Sequence, residues 1–105
     1  MKKNIKADQE YHLVELLKKN DSGAMRRVYD RYVEYLSAVC ARYIVGEADR
    51  KDVLQDTFIK IFTTINRFEY RGEGSLKAWM KKITVNEALR FLQKNVAANR
   101  VEYEP

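Results

Sequence analysis

The sequence predicts an all-α protein, a compact bundle of four main helices around one core. Three observations predict it. Apolar residues recur at three- and four-residue spacing in four segments, and no strand-like alternation persists beyond a few residues. One proline and four glycines leave little material for a many-turned β fold. A chain of 105 residues suffices for one domain with a single core and not for two.

The first helix is predicted over residues 8–20, where Leu13, Leu16 and Leu17 are followed by the polar run Lys18-Lys19-Asn20. Asn20-Asp21-Ser22-Gly23 breaks it, and either Asp21 or Ser22 can cap the helix that follows. That second helix is expected over residues 23–44, with Met25, Tyr29, Tyr32, Leu36, Val39 and Tyr43 at helical spacing. Gly46 is expected to end it by adopting positive φ.

Asp49 is the expected N-cap of a third helix over residues 50–66, and Asp52 adds charge to its first turn. Leu54, Phe58, Ile61 and Ile65 form one stripe along it; Asp52, Gln55, Asp56 and Ile59 form another. At about 100° per residue the two stripes lie on nearly opposite sides, so burying the first exposes the second. Residues 68–74 read as a loop, with Gly72 and Gly74 flanking Glu73 beside Arg71. Ser75 is the expected cap of a fourth helix over residues 76–95. Its apolar face starts on Leu76, Trp79, Met80 and Ile83, then slips round to Val85, Leu89 and Leu92. Lys82, Asn86 and Gln93 share its polar side, with Arg90 at the edge. Trp79 falls on the apolar side and is expected in the core.

The formal net charge is +5, unevenly spread. Residues 67–100 carry eight bases (Arg67, Arg71, Lys77, Lys81, Lys82, Arg90, Lys94, Arg100) against Glu69, Glu73 and Glu87. Residues 47–60 carry four acids (Glu47, Asp49, Asp52, Asp56) against Arg50, Lys51 and Lys60. A basic end beside an acidic middle invites two partners of opposite charge, although solvated helix faces would also account for it. No stretch approaches 18 consecutive apolar residues, so no membrane span is expected. No signal-peptide core follows Lys2 and Lys3. The lone Cys40 excludes a disulfide within the chain and fits a cytoplasmic location. His12 is the only histidine, Cys40 has no partner, and no phosphate-binding glycine pattern occurs. Neither enzyme chemistry nor a metal or other cofactor is expected.

Several ordered runs carry a family resemblance. Asp52-Val-Leu-Gln55-Asp56 followed by Phe58-Ile-Lys-Ile-Phe62 resembles region 2.2 of bacterial sigma-70 family sigma factors. Asn66-Arg67-Phe68-Glu69-Tyr70-Arg71 resembles the start of region 2.3. Trp79-Met-Lys-Lys-Ile83-Thr-Val-Asn86 resembles the matching stretch of the extracytoplasmic-function (ECF) kind. The pieces stand in family order from about Leu13 to Asn95. The resemblance implies a sigma region 2 domain over residues 1–95, then at 96–105 the start of a linker to a region 4 domain that this sequence does not include, as in an excised domain.

The resemblance also implies roles in transcription initiation. Asp52, Gln55 and Asp56, with Phe62 as an apolar supplement, match the contacts that dock on a coiled coil of the largest subunit of core RNA polymerase. The loop and fourth helix match the elements that hold the non-template strand of the promoter −10 element and help melt it. By position, Asn86 and Arg90 are the implied base readers. Arg71, Gly72, Glu73, Gly74 and Ser75 are implied pocket residues, and Lys77, Lys81 and Lys82 implied phosphate contacts. Lys82 and Ile83 stand where housekeeping sigma factors have an aromatic wedge, which implies weaker unaided melting. An anti-sigma factor is a further implied partner, for which no residue here is a signature. Two other readings stand beside this one. A duplex-binding helix-turn-helix regulator needs a shorter turn before its recognition helix; a helical protein-interaction module needs no DNA at all.

Overall fold

The computed structural model describes the backbone of residues 5–103 and the side chains of residues 5–96. Four helices follow one another: α1 (Ile5–Lys18), α2 (Ser22–Ala41), α3 (Glu47–Thr64) and α4 (Ser75–Tyr103). A 3₁₀ turn (Ile65–Arg67) extends α3, and no strand occurs among the described residues. The all-α expectation therefore holds.

The α1–α2 turn is built from the capping residues read in the sequence. Asn20 adopts φ +59, its N–H bonds Leu17 O, and the N–H of Asp21 reaches back to Leu16 O. This pair of bonds is the Schellman ending, with asparagine where glycine is more usual. Asp21 then caps α2, its carboxylate accepting from Ala24 N at 2.8 Å.

The next connection differs from expectation. Helix α2 stops at Ala41, and Gly46 has φ −72. The chain leaves the helix early because Ile44 turns inward and is buried beside Cys40, Val53 and Ala88. Gly46 therefore precedes α3 instead of ending α2. Asp49 lies in the first turn of α3, where its charge still suits the helix dipole. The Arg50 guanidinium donates to the carbonyls of Ile44 and Val45, tying α3 to the connection.

The main core joins all four helices. Leu13, Val14 and Leu17 of α1 belong to it, so the core is not confined to the later three helices. From α2 come Ala24, Val28, Tyr32 and Leu36, which places the buried face one residue earlier than the Met25–Tyr29 stripe at its start. Phe58 and Ile61 of α3 and Ile65 at the start of the 3₁₀ turn follow, as the spacing predicts, with Leu54 packed partly buried against them.

Along α4 the buried line runs Leu76, Met80, Thr84 and Ala88, each four residues from the last. At about 100° per residue such a line drifts round the helix, from the main core at Leu76 and Met80 to a second cluster at Ala88, but it does not reach Leu89, which is 42% exposed. Thr84 was the missing link in the stripe. Its hydroxyl donates to Met80 O at 2.9 Å, so a nominally polar residue is buried at no hydrogen-bonding loss. Thr57 does the same on α3, donating to Val53 O at 2.8 Å. No described buried side-chain N or O lacks a partner. Burial also raises the pKa of the Cys40 thiol, against a smaller opposing effect of Arg50. Such a protonated, inaccessible thiol is a packing residue. Helix α4 continues through Tyr103, past the expected end at residue 95, because no glycine or proline interrupts the sequence before Pro105.

Candidate nucleic-acid and polymerase interfaces

The loop between the 3₁₀ turn and α4 takes its shape from two glycines and a serine. Gly72 has φ +105 and Gly74 φ +87, conformations that L side chains rarely adopt. Between them the chain turns tightly enough for the Ser75 hydroxyl to donate to Gly72 O at 2.7 Å. The Ser75 hydroxyl oxygen in turn accepts from Arg71 N at 3.1 Å. Ser75 therefore braces the loop and does not cap the helix. Gly74 occupies the cap position, its carbonyl accepting from Ala78 N at 3.0 Å. The exposed donors at this helix start go to a residue the sequence did not single out. The Glu10 carboxylate of α1 accepts from Gly74 N and from Leu76 N, each at 3.2 Å.

On one side of the loop lies an open hollow lined by Arg67, Phe68, Glu69, Arg71, Ser75, Ala78, Trp79 and Lys82. Three cations and one indole ring meet here. Phe68 is buried, with its ring centroid 5.0 Å from that of Trp79. Trp79 both packs on the core and reaches the hollow, so its core assignment is half the account. Arg71 makes only a solvent-exposed pairing with Glu69 at 3.5 Å, too weakly held to restrain it. Arg67 was not singled out among the candidate DNA contacts; its place in the hollow depends on the 3₁₀ turn, which no sequence signal marks.

The structure sorts the other candidates by position. Lys82, Asn86 and Arg90 stand one turn apart on one exposed face of α4, leading away from the hollow. Arg90 lies 3.9 Å from Glu87, and Lys60 is at the same distance from that carboxylate. Glu73, Gly74 and Lys77 line a second hollow on the α1–α2 side, with Lys6, Glu10, Arg31, Tyr32 and Tyr35. The Lys77 ammonium sits 4.3 Å from the Tyr35 ring centroid, a cation–π placement. Lys81 is exposed and lines neither hollow. Tyr70 turns toward α1, where its hydroxyl donates to Ala7 O at 3.0 Å and its ring meets Tyr11 edge-on at 5.6 Å. Desolvation raises its phenol pKa, with Glu10, Glu73 and Asp8 adding to the shift.

On α3, Asp52, Gln55 and Asp56 are exposed, as their stripe predicts, and Ile59 is 55% exposed. Gln55 and Ile59 border a broad groove between α2 and α3, whose lining includes Tyr29, Val33, Leu54, Phe58 and Phe62. Phe58 forms part of its floor, with Tyr29 at 4.8 Å and Phe62 at 6.0 Å between ring centroids. The Gln55–Ile59 edge of the stripe thus borders an apolar groove, and Tyr29, at 44% exposure, adds an aromatic ring to it that the α2 pattern concealed. Among the described residues no group of metal-ligating side chains occurs, and no helix is long and apolar enough to cross a membrane.

Comparison with known proteins fits this geometry. Residues 28–97 match the model of the family described as Sigma-70 region 2. The ECF RNA polymerase sigma-E factor of Haemophilus influenzae is 35% identical over 80 residues, covering 76% of this chain and 41% of that protein. The corresponding factor of Escherichia coli K12 is 34% identical over the same length. The chain spans about 40% of the length of the curated relatives it matches. A solved NMR structure of an engineered region 2 of sigmaE in complex with GTAAAA superposes with a TM-score of 0.71 at 30% identity, over 88% of this chain and 90% of that one. The shared fold and the matched segment agree: the chain belongs to the sigma-70 family as a region 2 domain of the ECF kind.

Proposed function

We propose that this domain serves transcription initiation in two ways. Its α3 surface docks on core RNA polymerase, and its loop and α4 capture the non-template strand of the promoter −10 element. The observation that carries the DNA half is the loop-side hollow, where Arg67, Arg71 and Lys82 surround the Trp79 ring at the foot of the Lys82–Asn86–Arg90 face. Cations attract phosphate without reading sequence. An extruded base offers a π-face to an aromatic ring and hydrogen-bonding edges to amide and guanidinium groups. The related region 2 solved with GTAAAA supports a nucleic-acid role for the same fold.

The polymerase half rests on Asp52, Gln55 and Asp56 beside the Ile59–Phe62 groove, with a helical coiled coil of the largest subunit as the docking partner. Apolar contacts in the groove would supply affinity, and the carboxylates orientation and rate of encounter. An anti-sigma factor competing for this surface would regulate it, and the natural setting is the cytoplasm.

The two kinds of DNA contact should separate on mutation. Lys81→Ala and Lys82→Ala should weaken binding to all single strands about equally and flatten the salt dependence by about one ion each. Asn86→Ala should instead change base preference, costing about 1–3 kcal/mol for the preferred sequence alone. Fluorescence polarisation on single strands varied one base at a time reads both. Uniform weakening by Asn86→Ala would reduce it to a phosphate contact.

A further inference from the structure

Glu10 belongs to α1, outside residues 28–97 that match the family model, yet it holds the start of α4. Its two carboxylate oxygens divide the work. One accepts from Gly74 N, at the end of the glycine turn; the other accepts from Leu76 N, in the first turn of the helix. Neither donor has an intrahelical acceptor, because the first N–H groups of any helix lack one. Glu10 is therefore a cap supplied from a distant part of the chain.

A second contact runs parallel to it. Tyr70, at the near end of the loop, donates its hydroxyl to Ala7 O and packs edge-on against Tyr11. One face of α1 thus grips both ends of the segment 70–76. Between those grips the loop carries Gly72 and Gly74 at positive φ, and no Cβ would meet an obstacle at either position. The backbone there is free of steric confinement, so the hydrogen bonds fix its path. Its bonds to α1 at both ends oppose a swing of the loop as a unit.

We infer that Glu10 is a positioning residue for base selectivity: through its bonds to Gly74 and Leu76 it holds the glycine loop in the geometry that admits one base over others. This role rests on the reading of the loop as a base-capture element. Glu10 itself lies on the opposite side of the loop from the hollow with Trp79 and Lys82, so it acts through the backbone and not by touching DNA.

The test uses the full chain, its Glu10→Ala and Glu10→Gln variants, and fluorescein-labelled single-stranded hexanucleotides with each position varied through the four bases. Amide hydrogen exchange at Gly74 and Leu76 is measured by NMR on the same proteins. Glu10→Ala should accelerate exchange at both amides and shrink the ratio between best and worst base by about fivefold, the scale of a lost helix cap. Glu10→Gln, with one acceptor oxygen in place of two, should fall between. Affinity for a random-sequence strand should change less than about twofold, because the phosphate attraction remains. A merely destabilised domain would weaken on every strand alike. A wild-type chain with no base preference overturns the base-capture reading, and this role with it. A discriminating wild type whose preference survives Glu10→Ala overturns the role of Glu10 alone. Loss of preference without faster amide exchange would likewise overturn positioning through the loop.

Discussion

Phe58→Ala is expected to lower the unfolding free energy by about 3–5 kcal/mol, the range for truncating a buried aromatic side chain. Phe58 is 5% exposed and belongs to the core cluster shared by all four helices. Its ring contacts Tyr29 of α2 and Phe62 one turn along α3. Removing it loses transfer free energy and leaves a cavity that Tyr29, anchored on another helix, can fill only in part. In a domain of this size the change is a large share of the stability, and Tm should fall by roughly 15 °C or more. Denaturant titration followed by circular dichroism measures it. A loss within the roughly 0.5 kcal/mol typical of surface substitutions would contradict the inner face assigned to α3.

That inner face was legible in the sequence because Leu54, Phe58, Ile61 and Ile65 are apolar and keep helical spacing. The opposite stripe was legible because Asp52, Gln55 and Asp56 keep the same spacing with polar side chains. Legibility failed where burial and polarity part company. Thr57 and Thr84 are fully buried, each satisfied by the carbonyl four residues back, and a polar label hides them. It failed again where tertiary packing overrides a local signal. Gly46 looks like a helix terminator, but the burial of Ile44 ends α2 first. On α2, alanine at position 24 is too small to stand out against Tyr29, although Ala24 is buried and Tyr29 borders the groove.

The candidate site divides in the same way. The glycine turn, its basic surroundings and the Lys82–Asn86–Arg90 face follow from local sequence. Arg67 reaches the hollow through a 3₁₀ turn that has no signature of its own. Glu10 bonds residues more than sixty positions away, and no local pattern encodes such a contact. Within residues 71–75, Glu73 and Gly74 line the α1–α2 side and Arg71 and Ser75 the Trp79 side, a division that no local pattern marks.

Gln55→Ala combined with Asp56→Ala is expected to weaken association with core RNA polymerase by about tenfold or more, equivalent to about 1.4 kcal/mol. Both side chains are exposed, and Gln55 borders the groove that contains Ile59 and Phe62. Asp56 should act chiefly on the association rate and its salt dependence, as charges at the rim of an interface do. Gln55, bordering the groove, should act more on dissociation. Because neither residue packs in the core, circular dichroism and Tm should be nearly unchanged. Binding kinetics against immobilised core polymerase at two salt concentrations separate these effects. Unchanged affinity in the double variant would remove the docking surface from α3.

Base capture from an opened strand separates this domain from a merely basic surface, and one titration distinguishes the two. The complex of this chain with core polymerase is titrated with a labelled single strand that the complex has selected from a random pool. The scrambled strand and the matching duplex are titrated in parallel, at two salt concentrations. A closed duplex must give up a few kcal/mol of stacking before a base can enter the hollow. The selected single strand should therefore bind about tenfold or more tighter than its duplex and than its scrambled form, with all three weakened by salt. Equal affinity for the selected strand, the scrambled strand and the duplex would contradict base capture and leave a basic surface that attracts nucleic acid without reading it.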